Sequence, residues 1–245
     1  MKLIITTIFA MLCSGVNAQT ILVPGKSSFE KKWIKNDSYQ MTWFALKDTA
    51  KFEIGEVSTR ISSDDKNITV VTAVKMKNSQ APWVDTTVAD VSTLSPVRHA
   101  SYNMQRDMLL NFGKIVTGFY NDKLKQKQTI ISDTTVTAYF DSNIYPVLLT
   151  WLPLTDGYKQ SISIYDYNPS KKVGVIKAFV KQVTSGIYES SKSGRIDVWV
   201  VTVVDEIGNN EKDFMTYYID KKDRTLWKQE INAAGRKMLM QRKEL

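Results

Sequence analysis

The sequence predicts an all-β-dominated protein with one short helix, in which a single curved antiparallel sheet forms a half-barrel around that helix. Two observations carry the prediction. Apolar and polar residues alternate with period two along most of the chain, which is typical of half-buried strands, and one strongly apolar segment interrupts this alternation. The 245-residue chain has no low-complexity linker. We therefore predict one β domain over residues 19–245.

Residues 1–18 have the pattern of a cleaved secretory signal peptide. Lys2 supplies the positive charge, and Leu3–Leu12 is an apolar stretch too short to cross a bilayer of roughly 30 Å as a helix. Small or modest residues precede the expected cleavage point after Ala18. Leu12 stands before Cys13 where a lipoprotein signal needs a small residue, so no lipid anchor is expected. The pattern predicts a bacterial protein that is periplasmic or secreted.

Composition excludes several kinds of chemistry. Cys13 is the only cysteine, so cleavage after Ala18 leaves a chain with no cysteine and one histidine, His99. Thiol catalysis, disulfides and cysteine–histidine metal sites are thereby excluded, and we predict neither a metal nor a cofactor. The net charge is +8, but the basic residues are dispersed and export makes nucleic acid a poor partner. Peripheral contact with an anionic membrane stays open.

The N-terminal half reads as a meander of strands after a loose lead-in over residues 19–32. Tyr39, Met41 and Trp43 alternate on one face of the first strand. A second strand begins near Phe52 with a bulge at Gly55, and a third covers 68–76. The further strands predicted in this half cover 101–112, 115–120, 126–131 and 134–139.

The segment Asp141–Pro153 is strongly apolar and predicts a short buried helix that lies against the sheet. Ser142 or Asn143 is suited to cap its N-terminus. Pro146 is tolerated in a first helical turn, and Pro153 ends the helix.

The C-terminal part returns to strands. Val198–Val204 is apolar on both faces, so we predict a central strand covered on both sides. Gly235 can adopt the positive φ that the last hairpin turn needs. The other strands predicted here cover 161–167, 173–183, 214–219, 226–231 and 237–242. In total we expect ten or eleven strands.

Catalytic motifs are missing from the sequence. It has no G-x-S-x-G elbow and no glycine-rich phosphate loop. His99 is the one histidine that could act as a base, and beside Arg98 it reads as a structural or surface residue. Asp64–Asp65 and Asp205–Glu206 read as solvated carboxylates in turns. We therefore predict no catalytic residues.

Aromatic and aliphatic side chains are the remaining candidates for function. A helix against a concave sheet either fills the core or lines a cavity for an apolar ligand. The residues predicted to bind such a ligand lie on the helix and the late strands: Tyr145, Leu148, Trp151, Trp199 and Tyr217.

From Thr93 onward the order of features resembles a family of uncharacterised exported bacterial proteins that look like distant relatives of the LolA/LolB-like half-barrels, the lipoprotein carrier and receptor folds. The stretches that carry the resemblance are Ser95–Arg98, Asp141–Trp151, Leu152–Tyr158, Ile162–Asp166 and the terminal pair Tyr218–Asp220 and Leu226–Glu230. The resemblance implies an antiparallel sheet wrapped around a helix, in the periplasm or at the outer membrane. It implies no catalytic residues.

These observations lead to one main hypothesis and two alternatives. The main one is a non-enzymatic exported protein that binds a lipid, a lipoprotein component or another amphipathic envelope component in a concave apolar cleft. The first alternative is a hydrolase of envelope polymers that uses carboxylates or His99. The second is an interaction scaffold that pairs through an exposed sheet edge. The sequence leaves the ligand and the oligomeric state open.

Overall fold

The computed structural model describes residues 20–25, 29–207 and 213–244. Within these residues, fifteen strands form one sheet and a single α-helix lies against it. The predicted signal peptide, residues 1–18, lies outside the described residues. No helix within the described ranges is both long and apolar enough to cross a membrane.

The elements follow one another as a long meander with one helical interruption. A 3-10 turn, Lys31–Trp33, precedes the first strand, and the helix α1 covers Tyr145–Trp151. The strands are β1 Asp37–Lys47, β2 Ala50–Ser63, β3 Asn67–Met76, β4 Trp83–Asp90, β5 Pro96–Tyr102, β6 Arg106–Asn111, β7 Ile115–Asp122, β8 Lys127–Thr134, β9 Phe140–Asp141, β10 Gln160–Tyr167, β11 Val173–Ser190, β12 Gly194–Asp205, β13 Phe214–Asp220, β14 Leu226–Ala233 and β15 Arg236–Arg242.

The sheet has the order β8-β7-β6-β5-β4-β3-β2-β1-β15-β14-β13-β12-β11-β10-β9. Consecutive strands are therefore neighbours almost everywhere, and β1 and β15 join the two halves. All pairs are antiparallel except the short β9–β10 pair. The predicted single curved sheet with one helix is confirmed, and the sheet places β8 and β9, which are close in sequence, at its opposite edges.

Several strand boundaries differ from the predictions. The predicted strand 101–112 is two strands, because the Asn103 side chain accepts hydrogen bonds from the backbone N–H groups of Gln105 and Arg106 and forms a turn. The strand predicted over 134–139 is wrong, since β8 ends at Thr134 and the chain then leaves the sheet. The predicted bulge is present, because the β1–β2 register shifts beside Gly55.

The lead-in is better ordered than the sequence predicted. Leu22 forms a parallel bridge with Ile162 and exchanges backbone hydrogen bonds with Ser161 and Ser163. Phe29 is buried in the main core. Over the described part of this segment the prediction of a loose lead-in is therefore wrong, because the backbone of Leu22 pairs with β10 and the side chain of Phe29 is buried.

The helix is confirmed, but it begins at Tyr145 and neither predicted capping side chain caps it. The Ser142 hydroxyl donates to Asp166 Oδ1 at 2.7 Å, and the Asn143 amide donates to Thr87 Oγ1 at 3.0 Å. Both side chains are thus used in contacts with the sheet. Pro146 lies in the first turn as predicted, and six of the seven helical residues are buried.

The two ends of the sheet overlap at β10. Ile162 and Ile164 on one face of β10 belong to the main core around α1. Tyr165 on the other face packs against Tyr139 and Phe112, with ring centroids 5.2 Å and 5.8 Å away. Since Phe112 directly follows β6, the sheet rolls up until one end lies over the other.

The predicted central strand is β12, which pairs with β11 and β13. Val201 and Val203 are buried, whereas Val200 and Val204 are only half-buried. Full cover on both faces is therefore wrong, because a single layer of sheet surrounds the core and leaves part of the outer face in contact with solvent.

Candidate functional site

A cleft lies between the inner face of the sheet and the first turn of α1. It has two adjoining parts, of about 690 Å³ and about 510 Å³. The two parts share the lining residues Trp43, Val74, Trp83, Ser142, Asn143 and Ile207. We call the larger part the polar end, because it holds Asp85, His99, Arg106, Asp141 and Asp166, and the smaller part the apolar trough.

The apolar trough is built from residues that alternate along neighbouring strands, so that every second side chain points inward. Most of its lining is aliphatic, aromatic or thioether. Representative residues from β1, β2, β3, β13 and β15 are Met41, Val57, Val74, Met215 and Met240. A surface of this kind favours hydrocarbon over water.

Two tyrosines add hydroxyl groups to this trough. Tyr145 on α1 donates its hydroxyl hydrogen to the carboxylate of Asp205, and Tyr217 on β13 lies nearby. Burial raises the pKa of Tyr145 well above its ordinary value and also raises the pKa of Tyr217. Both hydroxyls therefore stay neutral at physiological pH.

The polar end begins with four side chains on β4 and β5. The register places Thr87 opposite His99 and Asp85 opposite Ser101, so that all four face the interior. Asp141, on β9 at the far edge of the sheet, meets this group because the sheet is rolled up.

The carboxylate of Asp141 is held by several donors. His99 Nδ1 lies 2.8 Å from Oδ2 and 3.0 Å from Oδ1. The Thr87 hydroxyl donates to Oδ2 at 2.6 Å, and the backbone N–H of Asn143 donates to Oδ1 at 3.1 Å. These contacts fix both the carboxylate and the imidazole ring of His99.

His99 is a buried cation with one unpaired N–H. Burial by itself would lower the pKa of His99, but the charge and hydrogen bonds of Asp141, together with Asp85, raise it to about 10. The imidazole therefore carries a proton on both nitrogens at neutral pH. Nε2 lies 3.8 Å from Asp85 Oδ1, which is longer than a hydrogen bond, and it has no hydrogen-bond partner.

Arg106 and two tryptophans complete the polar end. Trp83 Nε1 donates to Asp85 Oδ1 at 2.9 Å and to Ser101 Oγ at 3.1 Å. Arg106 also donates to Ser101 Oγ, at 3.3 Å, and its guanidinium lies 5.4 Å from the centre of the Trp83 ring. Arg106 Nε and Trp43 Nε1 are buried and have no hydrogen-bond partner. Three unpaired N–H groups thus line one cleft, a costly arrangement.

The structure brings together two of the five residues predicted to bind a ligand. Tyr145 and Tyr217 line the apolar trough. Leu148 is fully buried in the core and Trp151 is 2% exposed, beside a separate small cavity. Trp199 is half-buried under the ammonium group of Lys221 and does not line the cleft.

Sequence reasoning missed the polar end. Of the two interpretations of His99, as a structural or a surface residue, the surface one is wrong, because His99 is 6% exposed. Asp205 is not a simple solvated carboxylate either, because it accepts the Tyr145 hydroxyl, whereas Asp64 accepts backbone N–H groups in a turn as expected. A signal was present, since β4 and β5 place polar residues at the alternate positions that neighbouring strands fill with apolar ones.

The described residues contain no group of three or more histidine, cysteine, aspartate or glutamate side chains arranged to hold a metal ion. What the cleft offers is a set of hydrogen-bond donors and carboxylates at one end and an apolar trough at the other. This arrangement suits a molecule with a polar group and a hydrocarbon part.

Comparisons with known proteins give a family and a fold. A family model described as a protein of unknown function, DUF3108, matches residues 38–241. No curated protein matches the chain significantly. A crystal structure of a β-barrel-like protein of the domain of unknown function DUF1849, from Brucella abortus, is similar with a TM-score of 0.51 and 10% identity, over 85% of this chain and 96% of that one. At this identity the similarity shows a shared barrel-like fold.

Proposed function

We propose that this chain, which belongs to the DUF3108 family of proteins of unknown function, binds one amphipathic lipid-like molecule in its cleft. The hydrocarbon chain would occupy the apolar trough and the polar group would occupy the polar end. The observation that carries the proposal is that the two parts, of about 510 Å³ and about 690 Å³, adjoin each other and share lining residues.

The trough supplies the affinity in this proposal. Each methylene group that leaves water for an apolar lining contributes roughly 0.8 kcal/mol. Part of this gain offsets the loss of ligand motion on binding. A ligand with a long alkyl chain gains most, because the chain can follow the trough between α1 and the strands.

The state of His99 supports binding over hydrolysis. A general base must accept a proton, and the raised pKa of His99, about 10, keeps the imidazole protonated at neutral pH. The ring acts instead as a fixed donor that Asp141 orients. This argues against His99 as the general base of an envelope-polymer hydrolase.

The cellular setting of the proposal comes from the sequence. The signal pattern of residues 1–18 supports a periplasmic or secreted protein, and the likeness to LolA/LolB-like half-barrels supports a lipid or lipoprotein component of the envelope as the ligand. We propose that the protein holds such a molecule within the envelope.

A charge placed in the trough tests the proposal. Val74 lies on the inner face of β3 and lines the cleft, whereas Val71 lies on the same strand with its side chain on the other face. We expect Val74→Glu to weaken binding of the uncharged fluorophore N-phenyl-1-naphthylamine at least tenfold, as about 1.4 kcal/mol corresponds to a factor of ten. Saturable fluorescence enhancement measures the affinity.

Val71→Glu is the matched control and is expected to leave the affinity unchanged. The proposal is wrong if the unmodified protein shows no saturable enhancement. It is equally wrong if both glutamate variants lose affinity to the same extent, because the effect would then follow from the added charge and not from its place in the trough.

A further inference from the structure

We infer that the polar end recognises an uncharged, hydroxyl-rich head group, as a glycolipid would present, and disfavours an anionic one. The inference rests on the proposed function and specifies the chemistry of its ligand. Three features carry it: the unpaired donors, the surplus of carboxylates and the aromatic lining of the polar end.

The unpaired donors require a ligand with acceptor atoms. His99 Nε2, Arg106 Nε and Trp43 Nε1 are buried, have no hydrogen-bond partner and belong to residues that line the same cavity. His99 as a whole is 6% exposed, and Asp141 holds its ring so that Nε2, which lies 3.8 Å from Asp85 Oδ1, makes no hydrogen bond. Oxygen atoms of a ligand would pair these donors and remove the cost of leaving them unpaired.

The carboxylates exclude a simple anion as the best partner. Asp85, Asp141 and Asp166 line the polar end against two cations, His99 and Arg106, so the end already carries a formal surplus of negative charge. An anionic oxygen only accepts hydrogen bonds and would add to that surplus. Burial raises the pKa of Asp166, and the neighbouring charge of Asp141 raises it further, so this site disfavours additional negative charge.

A hydroxyl group fits both halves of this environment. It accepts a hydrogen bond through its oxygen and donates one through its hydrogen, so it can pair with an N–H group and a carboxylate at once. Several adjacent hydroxyls, as on a sugar ring, would engage His99 and Arg106 as donors and Asp85 as an acceptor.

Aromatic rings line the same end and favour a flat, partly apolar head group. Trp43, Trp83, Tyr120 and Tyr167 all border the cavity. An aromatic face carries partial negative charge and packs against polarised C–H groups such as those of a sugar ring. The rings would thus cover the apolar face of a sugar while the charged groups pair with its hydroxyls.

Ligands that share one chain and differ in the head group test the inference. Isothermal titration calorimetry below the micelle-forming concentration would compare n-dodecyl β-D-maltoside with dodecanoate and dodecyl phosphate on the purified full chain. We expect the maltoside to bind at least tenfold more tightly than either anion. Trp43→Phe and Arg106→Lys should each weaken maltoside binding about fivefold, the typical effect of one hydrogen bond.

The control variants are Trp199→Phe and Arg242→Lys, because neither residue lines the cleft although Arg242 also has an unpaired buried nitrogen. They should leave maltoside affinity unchanged. Dodecanoate affinity should stay within twofold in Arg106→Lys and in both control variants, because none of these three residues lines the trough.

The outcomes separate the inference from the proposed function. Equal or tighter binding of the anions would overturn the inference and leave the proposed function standing. A maltoside preference that survives both Trp43→Phe and Arg106→Lys would overturn the assignment of the head group to the polar end. If none of the three dodecyl ligands binds, both the inference and the proposed function are wrong.

Discussion

His99 is a charged residue kept inside a largely apolar barrel. Asp141 holds one ring nitrogen at 2.8 Å and Asp85 lies 3.8 Å from the other, so the imidazolium sits between two carboxylates. Removing one partner of a buried ion pair costs about 3–5 kcal/mol of stability, because the charge of the other partner is left uncompensated.

The stability contribution of His99 should depend on pH. The pKa of His99 is about 10 in the folded protein against 6.5 as its ordinary value, so its contribution is complete below about pH 6.5 and is lost as the pH rises toward 10. We expect His99→Gln to lower the free energy of unfolding by about 3 kcal/mol at pH 6. Urea unfolding of the unmodified protein and of His99→Gln, at pH 6 and at pH 10, measures the difference between their free energies of unfolding.

The difference in free energy of unfolding between the unmodified protein and His99→Gln should be clearly smaller at pH 10 than at pH 6. The double variant His99→Gln with Asp141→Asn should recover part of the loss at pH 6, because it removes the uncompensated carboxylate as well. A difference of the same size at both pH values would show that the histidine side chain stabilises the protein by packing and not by its charge.

Some residues of the site could be predicted from the sequence and others could not. The alternation of Tyr39, Met41 and Trp43 predicted their shared face, and Tyr145 and Tyr217 do line the cleft. The His99–Asp141 pair could not be predicted, because it joins strands 42 residues apart whose meeting depends on how tightly the sheet rolls.

At the scale of elements, the β6–β7 hairpin depends on Gly118. Its φ of +154° lies in a range that other residues seldom adopt, and a Cβ atom there would lie 1.8 Å from the backbone oxygen of Leu109. The two strands can pair closely only because this position has no side chain.

Gly118→Ala should therefore separate β6 from β7 and lower the free energy of unfolding by more than about 1 kcal/mol. A loss of this size is typical where alanine cannot adopt the backbone conformation of the glycine it replaces. Gly113→Ala, in the turn of the same hairpin, is the control, because its Cβ would meet only an ordinary contact of 3.5 Å. Thermal unfolding followed by circular dichroism compares the variants. Equal melting temperatures for both would contradict the assigned pairing of β6 and β7.

Elements with strong local patterns were predicted, and elements fixed by distant contacts were not. The helix followed from its apolar run and two prolines, but its start moved to Tyr145 because Ser142 and Asn143 bond to the sheet. The pairing of the lead-in with the sheet could not be predicted, because the strand that Leu22 pairs with, β10, lies far along the chain.

At the scale of the whole molecule, the sheet order makes a ligand-sized interior available. In the part of the chain that the structure describes, fifteen strands in nearly sequential order roll until β10 lies against the β6–β8 end, where Tyr165 packs on Tyr139. The helix α1 fills only part of the enclosed space, and the cleft occupies the rest. Alternation in the sequence predicted a curved sheet, but the extent of rolling depends on long-range contacts that no local pattern encodes.

The central claim is that this interior holds one amphipathic molecule, and native mass spectrometry tests it most directly. The protein would be purified without detergent from the envelope of the cells that make it, weighed intact, and extracted to identify any lipid. The account predicts one bound molecule per chain, with an alkyl chain and an uncharged sugar-bearing head group. A mass equal to that of the bare chain, or a bound molecule without a hydrocarbon chain, would contradict it.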